Sequence, residues 1–289
     1  MEFCHIVPTN YIPIVDGYKR HLVLAHLVEK NHKYVDAYLS IKHQDTTFIM
    51  DNSAFEMFKL NKPMFDPDKL IDLGNKIKAD IIVLPDYPRE DYQKTIDQCE
   101  KYIDTFKSAG FGVMFVPQSR LGDLQGYIEC VKYGLNNKKI DIVGLSILGC
   151  PTALGLQENA YGVSNSRQYK LQRYKSRFQI LNELNNNGLL TENAINRFHC
   201  LGMADGPKEI KLLCQFSKYI QSWDTSSAAW HGINGVLFDQ SETGLINGKI
   251  ESEVDFDITF DDNNISNIRT NIKYIDNLVS QYGGTIWNR

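Results

Sequence analysis

Short, continuous apolar runs recur along the chain at 3–7, 21–26, 47–50, 80–84, 112–116, 140–145, 198–201 and 219–223. They are rich in Ile, Val, Leu or Phe and lack the polar alternation of a strand with one wet face. Such runs predict strands covered on both sides, as in a parallel sheet. Between them, apolar residues return at helical spacing. Asp66 and Pro67 offer an N-cap and a proline at the first helical position, followed by Leu70, Ile71, Leu73 and Ile77. Tyr92, Ile96, Cys99, Tyr102, Ile103 and Phe106 are spaced by three and four up to Gly110, and Leu121, Leu124, Ile128 and Val131 repeat the scheme. Gly206 and Pro207 open a further predicted helix carrying Ile210, Leu213 and Phe216. Eight strands with intervening helices predict an α/β fold, a single (β/α)8 TIM-like barrel over 1–232. An open doubly wound sheet would carry a glycine-rich phosphate turn, and neither GxGxxG nor GxxxxGK[ST] occurs.

After Trp230 the pattern changes. Residues 236–239 and 248–258 alternate apolar and polar around turn signals at 242–244 and 247–248, which predicts a β-hairpin. An acidic stretch (Glu251, Glu253, Asp255, Asp257, Asp261 and Asp262) leads into a last helix expected near 265–280. With no Pro- or Ser-rich linker and no internal repeat, 233–289 is expected to be a hairpin and helix packed on the barrel.

Composition narrows the class. The 289 residues suit a barrel, and 43% hydrophobic with 23% charged residues excludes wholesale disorder. No apolar run approaches the roughly 18 residues of a membrane span, and the N-terminus lacks a basic and then apolar leader, so a cytoplasmic protein with no membrane partner is expected. A net charge of −4 excludes a globally basic nucleic-acid coat but not a local basic patch. The six cysteines (Cys4, Cys99, Cys130, Cys150, Cys200 and Cys214) form no CxxC pair, and His21, His26 and His32 have no i, i+4 partner. Neither set has metal-ligand spacing, so reduced, mostly buried cysteines and structural histidines are expected, with no metal and no cofactor.

Candidate chemistry sits at strand ends, where barrel enzymes place it. Asp51 follows the run 48–50, Asp86 follows 81–85 and Asp224 follows 220–223. Gln118 follows 113–117, and Gly144 and Leu145 lie in a stretch whose backbone could approach a flat ligand. One aspartate at a strand end is ordinarily the cap of the next helix. Three facing one mouth suit the breaking and remaking of a glycosidic bond. One carboxylate attacks or stabilises an electron-poor sugar carbon, and another moves protons at the leaving group. Elsewhere, Arg167, Lys170, Arg173 and Arg177 line one face of a predicted helix over 164–177, opposite Leu171, Tyr174, Phe178 and Leu181. That face reads equally as a solvated surface or as a set of phosphate contacts, with Arg120 a lesser candidate.

The ordered segments DNSAFE, LPDYP, FVPQSR, VGLSILG, FHCLGM and SWDTSSAAWHG, spanning residues 47–232, resemble the tRNA-guanine transglycosylase superfamily. Its motifs DSGGFQ, an aspartate after the next strand, VQGG, GGLAVG, LMGVG and FDCV…TR…NG run in the same order on a TIM barrel. The resemblance implies that Asp224 is a nucleophile on the sugar C1′ and Asp51 a general acid/base. Asp86 and Gln118 would bind the edge of a purine-like base, Gly144 and Leu145 would contact it through backbone, and Leu201, Gly202 and Phe55 would cover it. Asn52, where the family has serine, would bind phosphate or ribose.

The departures bear on the substrate. Glu56 replaces the family's glutamine, Ser119 and Arg120 replace its two glycines, and no cysteine lies beyond Cys214 to build the zinc site of the tRNA enzymes. These features look more like the phage and bacterial DNA-guanine transglycosylases, which place 7-deazaguanines in DNA. The implied partners are therefore DNA and a free 7-deazaguanine base, in the host cytoplasm for a phage-encoded member. A tRNA acceptor, a non-catalytic nucleic-acid-binding barrel subunit and a barrel hydrolase acting on nucleosides remain as alternatives.

Overall fold

A computed structural model of the chain describes residues 1–156, 167–203, 206–245 and 255–284. Its strands are β1 (Glu2–His5), β2 (Arg20–Leu24), β3 (Thr47–Asp51), β4 (Ile81–Val83), β5 (Gly112–Phe115), β6 (Ile142–Ser146), β7 (Phe198–Leu201) and β8 (Ile220–Thr225). They hydrogen-bond in the order β1-β8-β7-β6-β5-β4-β3-β2, every pair parallel. The two ends of that order, β1 and β2, pack side by side and nearly close the ring. The fold is a single (β/α)8 TIM-like barrel, and each predicted run overlaps a strand.

The reason the runs are continuous is visible in the packing. Cys4, Ile6, Leu22, Leu24, Ile49, Val83, Met114, Val116 and Ile142 fill the barrel interior. Their neighbours, among them Phe3, Val23, Phe48, Met50, Ile82, Val113, Phe115 and Val143, pack outward under the helices. Both faces of each strand are therefore dry. β7 and β8 break this rule inside the barrel. Asp224 pairs in register with inward Cys4, and His199 pairs with Gly144, so both side chains point inward. A Cβ on Gly144 would lie 2.8 Å from Leu201 and 2.9 Å from Val116, so glycine makes room there for the barrel's own side chains.

Asp51 is the last residue of β3 and Asp224 the last but one of β8, at strand ends as expected, but several other expectations need correcting. The predicted helix after Pro207 is a short α-helix, Glu209–Leu212, followed by a 3-10 turn at Cys214–Tyr219. The basic segment is two helices, Arg167–Tyr174 and Ser176–Asn186, with residues 164–166 outside the described part. Residues 236–239 form no strand, and most of the second hairpin arm (246–254) lies outside the described residues.

The last helix, Asp262–Tyr282, begins where Asp261 accepts the Asn263 N–H at 2.8 Å. It lies so close to the Ser227–Ile233 helix that a Cβ on Gly232 would meet the Ile268 backbone at 2.7 Å. Asn271 fastens the contact by donating to the Ala228 and Val236 carbonyls and accepting the Phe238 N–H. Asp276 then ties the helix to the barrel, 3.2 Å from His5 Nε2 and 2.6 Å from the Tyr18 hydroxyl that donates to it. Among the described residues, no helix is long and apolar enough to cross a membrane.

Candidate active site

The chain turns sharply where β3 ends in Asp51. Ser53 adopts a left-handed backbone (φ 58°), and its N–H donates to Asp51 Oδ2 at 2.9 Å. The Ser53 hydroxyl oxygen accepts the His26 N–H at 3.2 Å and lies 2.9 Å from His26 Nδ1, which joins the loops after β2 and β3. Burial lowers the His26 pKa to about 4, so its imidazole is neutral at pH 7. The Asp51 carboxyl is pushed well above the usual range by burial first, then by the charges of Glu56 and Asp86, with Asp224 adding to them. Glu56 is itself raised by burial, and its Oε2 is buried without a hydrogen-bond partner. Asp51 thus holds its proton far more tightly than an ordinary carboxyl.

Beyond β4 and β5 lies a second group. Asp86 is buried, accepting from Asn52 Nδ2 at 2.7 Å and from Gln118 Nε2 at 2.6 Å. Burial raises its pKa to about 6, against the opposing pull of these two amide donors. Gln118 keeps its Oε1 buried and unpartnered. A carboxylate oxygen has capacity beyond one bond, so Asp86 and Gln118 together present acceptors, suited to a ligand edge that donates hydrogen bonds.

Asp224 is buried, held from two directions. Its Oδ1 lies 2.9 Å from His199 Nε2, and the Gly202 N–H is shared between both carboxylate oxygens at 3.1 Å. His199 is fully buried, with Nδ1 2.8 Å from the Ser222 hydroxyl. A buried chain, Ser222–His199–Asp224, therefore runs inside the barrel to its mouth. Gly202 sits at φ 69° directly after β7, a conformation that favours glycine and aims its N–H at Asp224. Its carbonyl accepts from Arg177 Nη2 at 2.7 Å and from Trp223 Nε1 at 2.8 Å, so the turn is clamped from behind.

Arg177 corrects the sequence reading most. It is buried, forms a two-pronged ion pair with Glu209 (2.7 and 3.0 Å), donates to the Leu145 and Leu201 carbonyls, and lies 4.7 Å from the Trp223 ring centroid. With its guanidinium spent on these groups it cannot meet a phosphate in solvent. Arg173 is buried as well, Lys170 is half-buried, and the Arg167 side chain lies outside the described residues. The expected basic face is thus not one surface. Arg120 is exposed and pairs with Asp91 at 3.1 Å.

Asn52 is also corrected. It is buried, its Nδ2 bonds the Leu84 carbonyl and Asp86, and its Oδ1 accepts the Ala54 N–H, so it shapes the Asp86 pocket and does not face phosphate or ribose. Leu145 points its side chain outward and gives its carbonyl to Arg177. Leu201 lines the interior beside Gly144, and Phe55 stands exposed on the rim.

His199, Ser222, His26 and Ser53 were missed as site residues. The signal for two of them was strand parity. His199 and Ser222 lie two residues before the inward Leu201 and Asp224, so they share the barrel's inner face. A polar residue at such a position needs a partner. Compared with known proteins, the chain matches no family model and no curated protein.

Proposed function

We propose that the protein is a base-exchange transglycosylase of the tRNA-guanine transglycosylase type, replacing guanine in DNA with a 7-deazaguanine. The observation that carries this reading is the division of labour among carboxyls at one barrel mouth. Asp224 is gripped by a backbone N–H and His199, which hold it in place as a nucleophile, while the Asp51 carboxyl at the same mouth holds its proton more tightly than an ordinary carboxyl and suits the acid. Carboxyls set in contrasting surroundings mark acid and nucleophile assignments.

In the first step an Asp224 oxygen bonds to the sugar C1′ as the C1′–N9 bond breaks. The electron pair leaves with guanine, and Asp51 supplies the proton that neutralises it. The incoming 7-deazaguanine then gives its N9 proton to the Asp51 carboxylate, and N9 displaces Asp224 from C1′. Two displacements retain configuration, and the proton on Asp51 is restored. The Gln118 Oε1 and Asp86 acceptors suit the N1–H and N2–H₂ donors of guanine and of 7-deazaguanine alike. One pocket could therefore serve both the departing and the arriving base. In a duplex the nucleotide must leave the stack, at a cost of a few kcal/mol.

The test supplies labelled guanine or a 7-deazaguanine with DNA or tRNA as acceptor and traps the covalent adduct. Incorporation into DNA, and loss of both adduct and incorporation in Asp224→Asn, is expected. Incorporation into tRNA alone would overturn the DNA acceptor. Release of free base without exchange would make the protein a hydrolase.

A further inference from the structure

The rim of the mouth carries an unusual surface. Of seven exposed large apolar side chains among the described residues, Phe55 (45% exposed), Phe58 (41%) and Leu60 (58%) occur within six positions, directly after β3. They belong to the Ala54–Lys59 helix and its C-cap, whose Ala54 and Met57 are buried. At helical spacing, Phe58, Phe55 and Lys59 form one outward stripe beside Glu56 and Asp51. The next loop supplies a cation. Arg89, three residues after Asp86, places its guanidinium 5.4 Å from the Phe58 ring centroid. One loop further on, Arg120 and Leu121 are both exposed.

The backbone around this stripe is held in costly conformations. Of five non-glycine residues with left-handed φ among the described ones, Ser53, Asn61 and Arg89 bracket it. Lys78 and Asn196, the other two, fall outside these three loops. Left-handed strain that clusters at one rim is a mark of a binding surface. Apolar rings exposed in series, interleaved with cations and continuous with a site for a base, match the chemistry of an unstacked nucleic-acid strand. Rings stack on bases and cations meet phosphates.

We infer that the rim formed by the Ala54–Lys59 helix with the Arg89 and Arg120 loops is a stacking platform for DNA nucleotides flanking the one that enters the mouth. The inference rests on the proposed base exchange and adds to it where the rest of the strand lies. It also moves the nucleic-acid track from the Arg167–Arg177 segment, which follows β6, to the neighbouring arc of the ring, along the loops after β3, β4 and β5.

Fluorescence anisotropy with a labelled single-stranded oligodeoxynucleotide tests this on the full chain. Phe58→Ala is expected to weaken binding about tenfold, the scale of one lost base–aromatic stack, while Phe58→Tyr binds like wild type. Both are exposed substitutions, so unchanged thermal unfolding serves as the folding control. Binding of Phe58→Ala within twofold of wild type would overturn the platform and leave the base-exchange reading standing. Wild type that binds no DNA, or binds RNA alone, would overturn the DNA reading and the platform with it.

Discussion

A single carboxyl illustrates how this site trades stability for chemistry. Asp51 is partly buried at the mouth with Glu56, Asp86 and Asp224, and its pKa is raised by desolvation and then by those charges. A group raised in the folded state binds protons more tightly there than in the unfolded chain, so its ionisation opposes folding as pH rises. Asp51→Asn keeps the shape and removes that charge. At pH 7 it is expected to unfold at a higher temperature than wild type, by the 0.5–2 kcal/mol typical of such relief, while base exchange is lost. Calorimetry beside the exchange assay checks this, and a destabilised Asp51→Asn would count against the protonated acid. His199 acts one step back, through Asp224. Removing it leaves the carboxylate gripped by Gly202 alone, free to rotate away from the line of attack. His199→Leu, which keeps the bulk and removes the donor, is expected to lower kcat about 100-fold with KM little changed, since misplacement of a reacting group by about 1 Å costs that much. A rise in KM with kcat intact would instead assign His199 to substrate binding.

Among elements, what could be read from sequence depended on whether a segment's fate is set locally. The eight strands were legible because burial on both faces leaves a continuous apolar run. The Pro67–Ile77 helix was legible because Asp66 caps it, accepting the Asp68 N–H at 2.9 Å. The basic segment was misread because Arg177 carries the same charge whether it faces water or Glu209. Only the distant Glu209, 32 residues on, decides between them. The three strand-end aspartates were legible by position, whereas the His199–Ser222 pairing depends on two strands meeting in register. The Arg177–Glu209 pair gives a direct test. Breaking a buried pair from one side leaves an unpaired charge, so Glu209→Gln is expected to cost about 3–5 kcal/mol in chemical unfolding. The damage should spread to the site, because Arg177 also holds the Leu201 carbonyl, which shares a peptide with the Gly202 N–H that grips Asp224. A variant as stable as wild type would show that the pair's desolvation cost equals its attraction.

At the scale of the molecule, two sets of buried or partly buried groups oppose each other across one pH window. Asp86, raised to about 6 by burial, binds a proton in the folded state at pH values where the unfolded chain has released it, and Asp51 and Glu56 are raised in the same sense. Between the ordinary carboxyl value of 3.8 and about 6, folding stability contributed by Asp86 falls as pH rises. His21 and His26 run the other way. Burial lowers both from 6.5 to about 4, so the unfolded chain takes up protons first and stability falls as pH drops through that range. The two slopes oppose each other, so the melting temperature is expected to change less across this interval than either set alone would make it. Below it the balance fails. Asp276 is half-exposed, and its partial burial would raise it, yet hydrogen bonds from His5 and Tyr18 hold its pKa below 3.8. Its contribution is present above 3.8 and is lost as pH falls through the depressed folded value, releasing the Asp262–Tyr282 helix from β1. Asp51→Asn removes one term from the carboxyl side only. Its melting temperature should therefore fall more steeply on acidification than that of wild type, and the two curves should converge as Asp51 of the unfolded chain becomes protonated too. Parallel curves over the whole range would mean that Asp51 is ionised in the resting protein, and the proton for the departing base would then have to come from Glu56, the neighbour whose charge bears most on it.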